Sequence, residues 1–288
     1  MIAVLGGVGA AAAWAVSTLC SSRSSRMIEP MAVVAWVMLV GLVITAPLAA
    51  TDGVPSALHG SLLFWLALSG AGNVAGLVIS YYALRIGQVS LVAPIVSAEG
   101  AIAALISILA GHRLAPSVAV TLAVIAAGVG LASTSPAAAA AEVAAALPGR
   151  GRPTAVILAA TAAVAFGASL YATGRAGARL PSSWVVLAAR LIGALALALP
   201  LAVRGRLRLT RPAVGLVIAS GICEVVGFYS YTLGSRHGLA IAAVLSSQFA
   251  VLALIGSYVL FKERLHRIQL AGVGCVIVGV ALLSALRA

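Results

Sequence analysis

The chain has 288 residues, of which 62% are hydrophobic and only 8% are charged, with a mean hydropathy of +1.16. Soluble domains carry about a quarter charged residues, so this composition excludes an ordinary water-soluble protein and indicates one embedded in lipid. The net charge of +12 does not indicate nucleic-acid binding, because the arginines lie in short gaps between apolar stretches, as basic residues do beside membrane helices.

The apolar stretches have the length of membrane-spanning helices, which need about 20 residues each. Cutting the chain at its charges, prolines and polar clusters leaves ten of them. In chain order they cover approximately 2–20, 31–50, 61–83, 89–110, 115–133, 154–173, 183–203, 212–234, 239–260 and 268–286. The predicted fold class is therefore an all-α integral membrane protein with ten transmembrane helices.

The ten stretches divide into two similar halves, predicted as 1–133 and 154–288, joined by a Pro- and Gly-containing linker at 134–153. A shift of 151 residues pairs Gly70 with Gly221, Asn73 with Glu224, Gly76 with Gly227 and Arg113 with Arg264, and a shift of 152 pairs Ser17 with Ser169 and Gly41 with Gly193. Because each half holds an odd number of helices, the second half begins on the opposite side of the membrane. The prediction is two inverted five-helix repeats, an arrangement that many secondary transporters use.

Several short runs resemble the drug/metabolite transporter superfamily, and within it the ten-helix EamA-like exporters. They are YYALRIG at 81–87, SLVAPI at 90–95, LSSQFAV at 245–251 and KERL at 262–265, and the similarity extends over essentially the whole chain. The sequence departs from the pattern at His112, where a glutamate is usual, and at Ala250, where a proline is usual. The resemblance implies two inverted five-helix bundles around a central cavity, and export or exchange of small metabolites or drugs.

Four polar residues stand near the middle of apolar stretches: Asn73, Glu99, Glu224 and Gln248. An ionisable side chain at the centre of a bilayer costs about 2.5–3.5 kcal/mol on insertion scales, so it normally faces a cavity or a partner. The resemblance implies that the four helices that carry these residues line the central cavity. We therefore take them as candidate substrate-binding or coupling residues.

The two carboxyls each allow a structural alternative. Glu224 either faces the substrate and exchanges protons, or is buried against Asn73 or Arg190 to hold the halves together. A carboxyl in apolar surroundings can be neutral at pH 7, so Glu99 is either a proton carrier or a silent protonated side chain. Gln248 either binds substrate through neutral hydrogen bonds or joins neighbouring helices.

Four further candidates are less specific. Arg190 is either a counter-ion or a side chain that reaches towards lipid headgroups along its long stem. Trp14, Tyr82 and Tyr231 can stack on an aromatic or cationic substrate, although such rings more often serve as packing or interface anchors.

The function predicted from these features is secondary transport of a small metabolite, amino acid or drug, by an exporter or exchanger. The alternative is a channel or a structural membrane subunit, since neither requires a motif. An enzyme is not expected: the six acidic residues are scattered, no nucleophile motif accompanies a membrane-embedded histidine, and no phosphate-binding loop occurs. No metal or cofactor is expected. The expected partners are a small-molecule substrate, membrane lipid and protons, but no nucleic acid, and the chain is expected to be a monomer.

The location predicted is a bacterial cytoplasmic membrane, from the abundance of Ala, Gly and Arg, but the orientation stays open. Loops after odd-numbered stretches carry most of the Arg and Lys, which by the positive-inside rule puts both termini outside. The family resemblance implies cytoplasmic termini instead.

Overall fold

The computed structural model describes residues 1–56, 58, 60–111 and 151–261, with isolated positions between 116 and 127 and between 271 and 279. Every regular element in this part of the chain is helical. The first half contains α1 (Ile2–Ser24), α2 (Pro30–Asp52), α3 (Ser61–Ile86), α4 (Val89–Val96) and α5 (Ala98–Leu109). The second contains α6 (Gly151–Gly177), α7 (Ser182–Gly193), a π-helical turn (Ala194–Ala198), α8 (Leu199–Val203), α9 (Arg211–Ser235), α10 (Leu239–Ser246) and α11 (Phe249–Phe261).

These helices form eight spans that are long and apolar enough to cross a membrane. Three of the spans join consecutive helices: α4 with α5, α7 with α8 through the π-helical turn, and α10 with α11. The eight correspond to eight of the ten predicted stretches. The fifth and tenth stretches, 115–133 and 268–286, and most of the 134–153 linker lie outside the described residues, so the count of ten remains a prediction.

Two of the spans are interrupted near their middle, and the polar side chains at the breaks explain why. Between α4 and α5, Ser97 donates a hydrogen bond from Oγ to the Pro94 carbonyl at 2.6 Å. Between α10 and α11, Ser247 Oγ and Gln248 Nε2 donate to the Val244 carbonyl at 2.7 and 2.8 Å. Such back-bonding competes with the helical ladder and bends helices, and broken helices often line transporter sites.

Close antiparallel helix pairs join the two halves of the chain. α1 packs on α9, and α3 packs on α6. At the first crossing Gly6 faces Gly234, and a Cβ atom added to Gly6 would lie 2.6 Å from the Gly234 Cα. Small residues permit this approach of backbones, which is a common way for helices to associate in lipid.

The outside of the bundle is apolar. Exposed side chains include Val43, Leu195, Val203 and Val259, each with more than 60% of its surface accessible. Serines and threonines such as Ser21, Thr45, Thr173 and Thr232 are fully buried instead. This inversion of the usual pattern is expected where lipid, rather than water, surrounds the helices.

Candidate functional site

A cavity of about 60 Å³ lies inside the bundle, between the α1–α9 pair and the α3–α6 pair. A water molecule needs about 10–15 Å³ on this measure, so the cavity has room for a few waters or for a small ligand group. Its walls come from both halves of the chain. The lining residues are Trp14, Ser17, Thr18, Asn73, Leu77, Ser80, Tyr81, Leu84, Val92, Ala93, Val96, Glu99, Phe166, Ser169, Leu170, Glu224, Phe228 and Phe249.

Helical periodicity places these side chains on the inner faces. On α3 the lining residues Asn73, Leu77, Ser80 and Leu84 follow one another at intervals of three or four, which is one face of a helix. On α6, Phe166, Ser169 and Leu170 repeat this spacing. The α4–α5 break brings a second kind of group to the wall, because it places Glu99 in the first turn of α5. There the helix dipole favours a negative charge.

Two side chains contact the Glu224 carboxyl directly. Ser17 Oγ donates a hydrogen bond to its Oε1 at 3.0 Å, and the Arg190 Nη2 atom lies 3.8 Å from its Oε2. Ser17 also hydrogen-bonds Ser220, which in turn bonds Ser21. The carboxyl, which lines the cavity, is therefore held in place by a network of hydroxyls and by a cation.

Arg190 is completely buried and does not line the cavity. Its guanidinium carbon stands 5.1 Å from the centre of the Phe228 ring, and Nη1 lies 3.5 Å from the Met38 sulfur. Its stem lies so close to Gly41 that a Cβ atom there would be 2.7 Å from the arginine Cδ. Of the two predictions for Arg190, the structure shows a counter-ion inside the bundle rather than a side chain that reaches the headgroups.

Asn73 and Glu99 have fewer polar partners than Glu224 within the described residues. Asn73 is 2% exposed, and its amide oxygen has no hydrogen-bond partner among the described residues. Glu99 is 4% exposed and, within the same residues, forms neither a hydrogen bond nor an ion pair. Among the described residues Asn73 forms no hydrogen bond with Glu224, and of the two partners predicted for that carboxyl it is Arg190 that lies beside it.

Besides Arg190, three predicted site residues lie away from the cavity wall. Tyr231 is fully buried behind it, donating its hydroxyl to the Leu170 carbonyl at 2.8 Å. Gln248 bonds the α10 backbone at the break. Tyr82 is half-buried on another face of α3, and its neighbour Tyr81 lines the cavity instead. Trp14 does line the cavity and packs edge-on against Phe228, with ring centres 5.5 Å apart.

The sequence interpretation missed several lining residues, chiefly Ser17, Tyr81, Phe166, Phe228 and Phe249. The sequence held a signal for one of them, because Phe166 is related to Trp14 by the same shift of 152 residues that pairs Ser17 with Ser169. The other aromatic residues carried no pattern that distinguished a cavity wall from ordinary packing. Within the described ranges, no group of three or more His, Cys, Asp or Glu side chains could hold a metal ion.

Comparisons with known proteins agree with this architecture. The model of a family described as the EamA-like transporter family matches residues 1–134 and 153–285. A solved structure titled "Crystal structure of protein" is similar in fold, with a TM-score of 0.75 and 20% sequence identity over 99% of this chain and 96% of that one. A search of curated proteins found no match.

Proposed function

The chain belongs to the EamA-like transporter family, and from this premise we propose that it is a secondary transporter that exports or exchanges a small solute through the central cavity. The family consists of membrane transporters of small solutes rather than enzymes, and the apolar helices make the chain a multi-pass membrane protein. The observation that carries the proposal is the internal cavity, which is walled by both halves and holds two carboxyls and an unpaired amide oxygen.

We propose further that the halves are inverted repeats that exchange conformations during transport. Contacts across the bundle occur in pairs related by the sequence shifts of 151 and 152. A Cβ atom on Gly76 would meet the Phe166 ring, and one on Gly227 would meet the Trp14 indole. These two contacts are equivalent, since Gly76 corresponds to Gly227 and Trp14 to Phe166.

The hydroxyl contacts follow the same relation. Ser21 bonds Ser220 at 2.9 Å, and their counterparts Thr173 and Ser69 bond at 2.5 Å. Met38 and Arg190 are counterparts of each other and are in contact. Two such halves can each adopt the conformation of the other, which supports alternating access to one shared cavity.

We propose that Glu99, before Glu224, is the carboxyl that couples transport to a proton. The contacts to Ser17 and Arg190 hold Glu224 in place and balance its charge, whereas Glu99 has no such partners in the described part of the chain. Glu99→Gln keeps the shape of the side chain but removes its titration. We expect this variant to reach the membrane normally while losing most of the transport rate or its pH dependence.

Reconstitution into liposomes tests the proposal. Vesicles are loaded with a mixture of unlabelled amines, amino acids and sugars, and entry of each labelled compound is measured with and without the internal mixture. Entry of a labelled compound through a carrier is accelerated by unlabelled substrate inside the vesicle, whereas entry through a channel is not. Absence of acceleration for every compound would favour the channel or the structural subunit. Glu29→Gln is the matched control for Glu99→Gln, because it also removes a carboxyl but lies in a surface pair with Arg206.

A bacterial cytoplasmic membrane is the proposed location, and a monomer the proposed state. A proton is the proposed coupling ion, because no nucleotide-binding loop occurs in the sequence and an existing gradient must then drive net movement.

A further inference from the structure

A second pocket, of about 560 Å³, lies at the end of the bundle where α3 and α10 begin and where α6 and α9 end. We call it the interfacial pocket, and its wall includes Trp65, Arg175, Ala178, Arg179 and Arg236. Pockets that hold small ligands measure about 300–1,000 Å³, so this one has room for a ligand. Because the ends of membrane spans lie at the boundary of the hydrocarbon core, the pocket lies at the depth of the lipid headgroups.

The three arginines give the interfacial pocket a one-sided charge. Arg175, Arg179 and Arg236 line it, and no Asp or Glu is among its described lining residues. Neither Arg175 nor Arg179 forms a hydrogen bond or an ion pair with a described residue. Like charges that share one space repel each other. An anion in the pocket would offset that repulsion.

Arg236 is held in a fixed position at the edge of this space. Its Nε atom donates a hydrogen bond to the Gly177 carbonyl, and its Nη2 atom donates to the Leu180 carbonyl, both at 2.7 Å. A guanidinium has five N–H groups, and those on Nη1 bond none of the described residues. A planar guanidinium that is already held in place loses little freedom on binding, and its geometry matches the oxygen atoms of a phosphate.

The wall that α3 contributes leads to the lipid-facing surface. Trp65 lines the pocket, and the guanidinium carbon of Arg175 lies 5.7 Å from the centre of its ring. The Trp65 ring packs edge-on against Phe64, with ring centres 5.1 Å apart, and Phe64 is 59% exposed on the apolar outside of the bundle. Tryptophan is enriched at the membrane boundary. A lipid with its headgroup in the pocket can therefore keep its acyl chains against an apolar surface.

We propose that the interfacial pocket binds the phosphate group of an anionic phospholipid. The phosphate oxygens accept hydrogen bonds from Arg175, Arg179 and Arg236, and the acyl chains lie along the outside of α3. Phosphatidylglycerol suits the site better than phosphatidylcholine, because a choline group would bring a further positive charge beside three arginines. The inference goes beyond the proposed function and does not depend on it, since the pocket shares no described lining residue with the central cavity.

Native mass spectrometry of the whole chain, released from detergent micelles, measures the affinity for each lipid. The chain is titrated with phosphatidylglycerol and with phosphatidylcholine that carry the same acyl chains. We expect the first molecule of phosphatidylglycerol to bind about fivefold or more tightly than the first molecule of phosphatidylcholine, which is the effect of about one charge near the membrane surface. Equal affinities would overturn the proposal.

Two variants of different kinds test the site itself. Arg175→Gln combined with Arg179→Gln should weaken phosphatidylglycerol binding about thirtyfold, since each arginine near anionic lipid contributes about fivefold. Ala178→Trp keeps every arginine but fills the pocket, so it should remove the preference for phosphatidylglycerol. All three positions are exposed, and substitutions at exposed positions usually change stability little. Unchanged binding in Ala178→Trp would show that the lipid does not enter the pocket, and would overturn the proposal.

Arg204→Gln combined with Arg208→Gln is the matched control for the double variant. It removes the same charge at exposed positions before the start of α9, whereas the pocket lies at the end of that helix. The helix is about 37 Å long at 1.5 Å per residue. We expect the affinity for phosphatidylglycerol to stay within about twofold of the wild type, because charges this far apart are screened. A loss as large as that of the pocket variant would show a general attraction between charges, and would refute the site.

A soluble phosphate ester could supply the same chemical group. Glycerol phosphate has the headgroup chemistry of phosphatidylglycerol without acyl chains, and we expect a large excess of it to leave phosphatidylglycerol bound. Displacement at equal concentrations would assign the pocket to a soluble phosphate ester and overturn the lipid as its ligand.

Discussion

The contact between Gly227 and Trp14 gives the sharpest test of how the halves pack. Gly227 lies in the middle of α9, where a Cβ atom would stand 2.6 Å from Cδ1 and 2.9 Å from Cε2 of the Trp14 indole. The indole cannot easily move away, because it is 7% exposed and packs against Phe228 and Tyr231. The change Gly227→Ala therefore forces the α1–α9 pair apart or the ring out of place.

The expected change in the free energy of unfolding of Gly227→Ala follows from two opposing effects. Overpacking a tight contact costs about 1–3 kcal/mol, whereas replacing Gly by Ala inside a helix gains roughly 0.5–1 kcal/mol from backbone entropy. Gly215 supplies the matched control, since it lies in the same helix and a Cβ atom there would meet nothing within 4 Å. Gly215→Ala keeps the gain in backbone entropy without the cost of overpacking. The free energies of unfolding of the two variants should therefore differ by about 1–3 kcal/mol.

Unfolding in mixed micelles of increasing SDS content, followed by tryptophan fluorescence, measures both variants against the wild type. We expect Gly227→Ala to unfold at lower SDS and Gly215→Ala to match or exceed the wild type. Gly76→Ala, which places a Cβ atom 2.6 Å from the Phe166 ring, should behave like Gly227→Ala. If Gly227→Ala proved as stable as Gly215→Ala, the close packing of α1 on α9 would be refuted.

Two further predictions concern the buried ion pair and the orientation in the membrane. Arg190→Met leaves Glu224 buried without its cation, which should lower the free energy of unfolding by about 3–5 kcal/mol. The double variant with Glu224→Gln should recover most of this loss. Strictly additive losses in the same unfolding assay would show that the 3.8 Å contact contributes nothing to stability. Thr210 is exposed in the Arg-rich segment before α9, and the positive-inside rule predicts that Thr210→Cys, in a chain without native cysteines, is protected from an impermeant thiol reagent in intact cells. Ready labelling would contradict the charge rule and support cytoplasmic termini.

The sequence by itself determined the membrane class and the positions of the eight spans that the structure describes. Predicted stretches such as 31–50 and 212–234 differ by one or two residues at each end from the observed helices Pro30–Asp52 and Arg211–Ser235. This agreement has a simple cause, because span length is set by bilayer thickness and is read directly from hydropathy. Asn73, Glu99 and Glu224 were also found from the sequence, since polar groups at mid-span are costly and therefore conspicuous.

The direction in which each side chain points was decided only by tertiary packing. In lipid a helix is apolar on all sides, so hydrophobic periodicity no longer marks the inner face as it does for a helix at a water-exposed surface. The sequence therefore could not choose Tyr81 over Tyr82 for the cavity, nor place Arg190 behind Glu224. Those choices depend on which helices cross closely, and here glycines and serines on α1, α3, α6 and α9 determine the crossings.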